Sequence, residues 1–477
     1  GLRFSDSSWY VKMEKRVNMK KITLSIMATS LLTLSLQADE ASLQKQIDEL
    51  TAIVEKVETK SLSDKIKFSP ELNLRVDKFD YKNNGITPNT SYASSSKSVS
   101  RGELISGNEG YTKDYDPQLS VRLRLNMLTD ITDNVKFTGR IAVTHNSQND
   151  QRICILSKDI TEASSVAETA LDIDKAYLDY AVNINLIFSA GILPTSGGMS
   201  SSLIEDTPRK SVFPSLMFDM TSYGVAASAN VGGDNWLRAI VAKAFTKNAE
   251  QFYYQCNRET IHNMDVAGLF FETKLPIAED NTFYVGIDKL GNIKAQPYLG
   301  SSASPESAMA HAHSMGSILN YGTGLEVRSI AGGNFDAFAH LAFSKPSGNG
   351  ATVNYTAYSN DTYANGAMID GNGNAFHIGG KYKVVSLNNA KFGLEYNQGN
   401  KYWFSGTQGS EDVYNKLATR GNAVEAYYTQ PWNRYISSRL GFLQVTEDYT
   451  GSGWHFGEPA KKDAVQRNLY FMINAYF

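Results

Sequence analysis

The chain has 477 residues and a formal net charge of −3, with charged residues making up only 20% of it. That balance leaves no basic footprint for a nucleic-acid partner. Gly (37) and Tyr (26) are frequent and Pro (12) is scarce, a mix that suits many strands and turns better than a helical enzyme.

Residues 1–18 precede Met19, carry no signal character and read as an overcalled start. Residues 19–38, MKKITLSIMATSLLTLSLQA, begin with basic Lys20 and Lys21, continue as a short apolar stretch and end on small Ala38. This is the pattern of a cleaved signal peptide for Sec export, too short to be a spanning helix. Residues 39–62 hold the one strongly helical stretch, where Leu43, Ile47, Leu50, Val54 and Val57 recur at steps of four and three. It is either a short periplasmic coiled coil that helps subunits assemble or a single amphipathic helix on a barrel rim.

From residue 63 to 477 the period becomes two. Ile66, Phe68, Leu72, Leu74 and Val76 share one face of a first strand, and Lys67, Arg75 and Asp77 share the other. Leu119, Val121, Leu123 and Leu125 likewise alternate with Arg122 and Arg124, and Val135 and Phe137 with Lys136 and Arg140. Each run is a strand with one apolar and one polar face. About sixteen such strands are expected, starting near residues 65, 117, 134, 172, 185, 221, 235, 262, 281, 318, 334, 374, 390, 420, 433 and 466.

The connections alternate between long and short. Seven short turns carry Asn134, Asn185, Asn235, Asn281, Asn334, Asn389 and Asn433, and Asn and Gly supply the left-handed conformations that tight hairpins need. Beside each turn sits an aromatic residue: Phe137, Phe188, Trp236, Phe283, Phe335, Phe392 and Trp432. Aromatic rings favour the half-wet boundary of a membrane, so these seven are the expected periplasmic girdle. The other connections are long and rich in Gly, Ser, Asn, Asp and Tyr. Short turns at one end and long loops at the other are the asymmetry of an outer-membrane barrel. The spacing of about 50 residues would also fit a propeller, but each period holds two strands rather than four. The fold class is therefore all-β: a transmembrane antiparallel up-and-down barrel of about 16 strands (16–18), preceded by the short helix.

The last strand, NLYFMINAYF, puts Leu469, Phe471, Ile473, Ala475 and Phe477 on one face. An alternating strand that ends on an aromatic resembles the assembly signal outer-membrane barrels present to the barrel-assembly machinery, with Phe477 as the terminal residue. Signal, strands, turns and Phe477 together resemble the general and phosphate-selective porins. The segment AYLDYAVNINLIFSAGILPTSGG (176–198) is similar to a hairpin of such porins in which a strand ends in Gly-x-x-Pro-Thr before a long loop. RKSVFPSLMFDM (209–220) is similar to a porin-like family, a domain of unknown function, found in epsilonproteobacteria. The resemblance implies a passive channel in the cell outer membrane of a Gram-negative bacterium, in contact with lipid and lipopolysaccharide, with a homotrimer left open. It also implies that the third long loop, 193–220, narrows the lumen; Glu205, Asp206, Arg209 and Lys210 are its constriction candidates.

If the apolar faces meet lipid, Lys67, Arg75, Arg122, Arg124, Lys136 and Arg140 line the lumen, where a basic wall would favour anions. Pairing of these cations with carboxylates across strands is the competing expectation. Cys154 and Cys256 fall in two predicted outer loops; an inter-loop disulfide and two unrelated thiols both fit. His311 and His313 share one face of a loop without further ligand-type neighbours, so no metal site is expected. No nucleophile elbow, phosphate loop or metalloprotease motif is found. The expected function is passive diffusion of small hydrophilic solutes, anions among them, with no cofactor and no catalysis. A barrel lipase or protease and an adhesive surface barrel are the alternatives.

Overall fold

The computed structural model describes residues 66–84, 111–146, 169–195, 197–209, 211–244, 264–295, 313–349, 352–353, 366–367, 370–407, 415–449 and 461–476, together with residues 48, 51 and 459. The signal segment, nearly all of the 39–62 helix, Cys154, Cys256, Lys210, His311 and Phe477 lie outside the described residues.

Sixteen long strands follow one another: β1 (Ile66–Asn83), β2 (Gln118–Asp130), β3 (Val135–Asn146), β4 (Thr169–Asn183), β5 (Leu186–Leu193), β6 (Ser222–Gly232), β7 (Asn235–Ala244), β8 (Met264–Thr273), β9 (Asp280–Ala295), β10 (His313–Ser329), β11 (Phe335–Gly348), β12 (Gly373–Val384), β13 (Ala390–Gly399), β14 (Gly421–Pro431), β15 (Ile436–Tyr449) and β16 (Lys461–Tyr476). Each pairs antiparallel with its chain neighbours, and β16 returns to β1 in register from Glu71 opposite Tyr476 to Asn83 opposite Ala464. The sheet is thus a closed barrel, with no edge left unpaired. Every expected strand is present. The largest differences are at β10 and β16, which start five residues earlier than the alternation suggests, and at β4 and β15, which start three residues earlier and three later.

Alternation sets the two faces. On β2, Leu119 and Leu123 lie on the exposed outer face while Arg124 is 2% exposed inside. Outer-face side chains elsewhere are apolar and open: Val241, Leu394, Leu440 and Phe471. No described helix is long and apolar enough to cross a membrane, which says nothing of strands. Inside, five aromatic rings each face a glycine on the paired strand: Phe270 opposite Gly286, His340 opposite Gly324, Phe338 opposite Gly379, Tyr427 opposite Gly393 and Tyr470 opposite Gly441. At each of these glycines a Cβ would run into the ring. The rings therefore lie against the wall instead of standing up into the lumen.

All seven short turns are present at the end where β1 begins and β16 finishes. Their asparagines act differently from the expectation. Of the seven, only Asn389 takes a left-handed backbone, with φ 59° beside Asn388 at 55°. The others work mainly through the side chain or a neighbouring glycine. Asn433 accepts from Tyr435 and Ile436 backbone N–H groups at 2.8 and 2.9 Å, and Asn235 donates to Gly232 O at 2.7 Å. Gly232, Gly233, Gly332 and Gly333 supply the positive φ values. A short polar side chain can imitate a turn of backbone as well as adopt an unusual one.

Asn281 is the extreme case. It is 2% exposed, accepts from Leu275 N at 2.7 Å and donates to the Leu275 and Ala278 carbonyls at 2.8 and 2.5 Å. Asn281→Ala is expected to destabilise the barrel by about 2–3 kcal/mol, because buried backbone groups lose their partners. Asn235→Ala at a solvent-exposed turn should cost about 1 kcal/mol or less. Urea unfolding followed by tryptophan fluorescence checks both.

Candidate functional site

The wall of β1–β3 carries the expected basic residues. Strand parity directs Lys67, Arg75, Arg122, Arg124, Lys136 and Arg140 inward, and most are engaged. Arg75 Nε bonds both oxygens of Asp77 at 2.8 and 2.9 Å, and its guanidinium lies 4.4 Å from the centre of the Tyr470 ring. Arg124 stands 3.9 Å from Glu71 and Lys136 3.8 Å from Asp130. Arg122 and Arg140 also contact neighbours, and Lys67 is exposed near the turn end. The wall is a set of ion pairs more than a bare positive surface, which weakens the net field it can exert on a solute.

The loop between β5 and β6, residues 194–221, turns into the lumen. Thr195 Oγ1 donates to Met220 O and clips the two ends of the loop together. Its single helical turn, α1 (Ser201–Ile204), ends in Glu205 and Asp206. Asp206 is held by Lys381 on β12 and by Lys391 on β13, the latter at 2.6 Å. Arg439 on β15 binds Glu205 at 3.0 Å and Ile204 O at 2.6 Å. In a ring of sixteen strands, β13 is diametrically opposite β5. The loop therefore crosses the full width of the barrel. Along the way Ser200 N donates to Glu326 on β10, and Arg209 meets Glu272 on β8 at 2.8 Å. Burial works against the Asp206 carboxylate, yet the two ammonium groups hold its pKa below the usual carboxylate value. Burial likewise opposes the Arg209 cation, and Glu272 outweighs it.

The loop's other face is apolar. Met199, Phe213, Leu216, Met217, Phe218 and Met220 are all 3% exposed or less. They pack on inward residues of β7–β10, including Ile240, Val266, Phe270, Leu290 and Ile318. Phe213 meets Phe270 edge to face at 4.9 Å. Each such side chain contributes roughly 1.5–3 kcal/mol by leaving water.

A second loop, described at residues 400–407 and 415–420 between β13 and β14, comes inward from the opposite wall. Phe218–Asp219 of the first loop and Gly406–Thr407 of the second form a short parallel bridge. Ser405 Oγ donates to Leu216 O at 2.7 Å, and Gly406 N to Met217 O at 3.1 Å. Trp403 is 1% exposed and donates from Nε1 to Leu417 O at 2.8 Å. Lys416 then pairs with Glu395 and Glu425 on the wall. The two loops meet inside the barrel and join opposite walls.

Glu205, Asp206 and Arg209 thus lie within the lumen. Their wall partners Lys381, Lys391, Arg439 and Glu272, and the whole second loop, were not singled out by the sequence. The one available signal was Tyr402-Trp403-Phe404, three consecutive aromatic residues in a mostly polar connection. Of the seven turn aromatics, Phe137, Phe188, Phe283, Phe335, Phe392 and Trp432 are on the outer face. Trp236 is a correction. It shares the inward face with Arg238, whose guanidinium lies 5.4 Å from its ring, and it is paired with Glu272. Nearness to a turn suggested a girdle residue, whereas strand parity turns it into the lumen. His313 begins β10. Among the described residues no cluster of three or more His, Cys, Asp or Glu could hold a metal ion.

A barrel bridged by two inward loops defines a class of closed, large-bore β-barrels, and residues 112–475 match the model for "Protein of unknown function (DUF3373)". The chain belongs to that family. No curated protein matches it. Among solved structures it is similar to Pseudomonas putida OprB (12% identity, TM-score 0.47, 88% of this chain and 96% of that one). It is also similar to the outer membrane channel DcaP of Acinetobacter baumannii (13%, 0.44, 86% and 97%) and to an anion-selective porin from Comamonas acidovorans (10%, 0.45, 86% and 99%).

The Asp206 latch gives a pH signature. A carboxyl held below its ordinary value of 3.8 contributes stability that is complete above that value and is lost as pH falls through the folded-state pKa. Wild type is expected to lose more thermal stability than Asp206→Asn between pH 4 and pH 2. Lys381→Ala, which leaves Asp206 with Lys391 as its remaining cation, should cost about 1–2 kcal/mol at neutral pH. Thermal unfolding of the detergent-solubilised barrel across pH reads both effects.

Proposed function

We propose that this chain is an outer-membrane porin of a Gram-negative bacterium: a passive diffusion channel for small hydrophilic solutes, exported through the Sec pathway on residues 19–38. The observation that carries the reading is a closed sixteen-strand barrel with an apolar exterior and a charged interior. Apolar side chains facing outward all round the barrel suit lipid, and a barrel of this strand number is too wide for wall side chains alone to fill. The outward Phe137, Phe188, Phe283, Phe335, Phe392 and Trp432, joined by Tyr180, Tyr382 and Tyr435, would form the aromatic belt at the periplasmic rim. The bridge of the two loops would be the constriction. Lipid, lipopolysaccharide and the barrel-assembly machinery are the partners this location implies, and trimers are the assembly to look for. No catalysis is proposed.

The charge pattern favours weak selectivity. The cations of β1–β3 stand beside Asp77, Glu71 and Asp130, and Arg122 and Arg140 also contact neighbours, so the wall's preference for anions is small.

Purified protein in a planar bilayer is expected to give stepwise conductance; lasting silence from correctly folded protein would sink the reading. Trp403→Ala, which loosens the second loop from its Leu417 anchor, should raise single-channel conductance, whereas a conductance unchanged from wild type would remove that loop from the constriction. Neutralising Arg122 and Arg140 together should shift the reversal potential in a salt gradient toward cations.

A further inference from the structure

Beneath the meeting point of the loops lies a recess of about 50 Å³. Its walls are Arg75 on β1, His377 on β12, Glu425 on β14, Arg439 and Leu443 on β15, and Tyr470 and Met472 on β16. Its roof is Ser200, Ser201, Ile204, Glu205 and Asp219 from the first loop and Lys416 and Leu417 from the second. Three cations and three carboxylates face it, so net charge alone selects nothing. The hydrogen-bond inventory does.

The carboxylates are already supplied with donors. Glu425 takes the Tyr470 hydroxyl at 2.5 Å and the Lys416 ammonium. Glu205 takes Arg439, and Asp219 takes Gly197 N at 3.3 Å. Arg439 is committed at all three nitrogens, to Thr429, Glu205 and Ile204 O. Arg75 is different. Its Nε is given to Asp77, while Nη1 and Nη2 have no acceptor among the described residues. Two further polar atoms at the recess are buried without a partner among the described residues: Ser200 Oγ, on a residue 1% exposed, and His377 Nδ1, on a residue 0% exposed. A buried polar atom without a partner costs free energy, which a ligand or water in the recess would recover for Ser200.

We propose that this recess binds a short monocarboxylate of about two or three carbons, the length its volume admits at about 10–15 Å³ per water-sized group. The planar Nη edge of Arg75 presents two parallel donors, the geometry that a planar carboxylate fills bidentately. Asp77 fixes that edge from one side and the face of Tyr470 from another. The Ser200 hydroxyl completes the donor set, and His377, whose Nε2 faces Glu395 at 2.8 Å, borders the site. Ile204, Leu417, Leu443 and Met472 offer an apolar side for a short alkyl chain. A divalent cation finds the carboxylates engaged, and a doubly charged phosphate meets a single guanidinium whose charge Asp77 already offsets. The proposal deepens the diffusion-channel reading and takes from it only the route by which the ligand arrives.

Calorimetric titration of propionate into the detergent-solubilised full barrel reads the site without requiring conduction, with the heat-dependent electrophoretic mobility of each variant reporting its folding. Saturable one-site binding is expected. Arg75→Gln should weaken it by about tenfold or more, as loss of a charge-assisted bidentate pair does, and Ser200→Ala by roughly threefold. Should Arg75→Gln not fold, Ser200→Ala carries the test alone. Absence of binding by wild type, unchanged affinity in the folded variants, or tighter binding of inorganic phosphate than of propionate overturns the proposal. In a planar bilayer, propionate should reduce chloride current through wild type and do so less in Arg75→Gln. A barrel that binds propionate but never conducts would sink the channel and leave the site. One that conducts but binds no propionate would sink the site and leave the channel.

Discussion

Closure of β1 on β16 is the constraint from which the rest follows. An open sheet of this length would expose two rows of unpaired N–H and C=O groups, whereas the ring pairs them all. Closing sixteen strands also sets a diameter that wall side chains cannot fill. The interior must then be wet or be occupied by more chain. This protein divides the two solutions between its halves. Along β7–β10 the space is occupied by the apolar face of the 194–221 loop. Along β14–β16 and β1–β3 it is left to charged side chains and the recess between them. The opposition of apolar and polar interior walls is a consequence of filling a round space from one side.

The charged half obeys a second constraint, that a group removed from bulk water needs a partner close by. Nearly every ionised side chain at the loop tips is met by one of opposite sign on the wall: Asp206 by Lys381 and Lys391, Glu205 by Arg439, Arg209 by Glu272, and Lys416 by Glu395 and Glu425. These contacts specify where the loops dock more than they add net stability, since desolvation offsets much of the attraction. The apolar packing around Phe213, Met217 and Phe218 supplies the stabilisation, and the ion pairs choose the register.

That division explains what could be read in advance. On β1–β3 the lumen is polar, the alternation of apolar and charged residues is clean, and Arg75, Arg122 and Arg140 were legible as inward residues. On β7 the loop covers the wall, so Ile240 and Ala242 are as apolar inside as Leu237, Ala239 and Val241 are outside. With both faces apolar the period carries no direction, and Trp236 was assigned by its nearness to a turn. The seven turns were legible because each is local. The contacts that make the candidate site join residues far apart in sequence, Asp206 to Lys381 and Leu216 to Ser405, and no local pattern records them. The Gly–aromatic pairs were hidden for the same reason: Gly441 and Tyr470 become neighbours only through strand register.

These pairs bear on how the recess is built. A tyrosine standing upright from β16 would occupy the space that Arg75 uses. Because position 441 has no Cβ, the Tyr470 ring can lie against β15 and turn its face to the guanidinium of Arg75 and its hydroxyl to Glu425. The interior is then crossed by rigid contacts from three sources: rings laid on glycines, a loop latched across the full diameter, and a second loop bridged to the first through Phe218–Asp219 and Gly406–Thr407. A single inward loop has one attachment and can swing about it. Two loops joined at their meeting point and anchored to opposite walls constrain each other, so each fixes the position of the other inside the barrel.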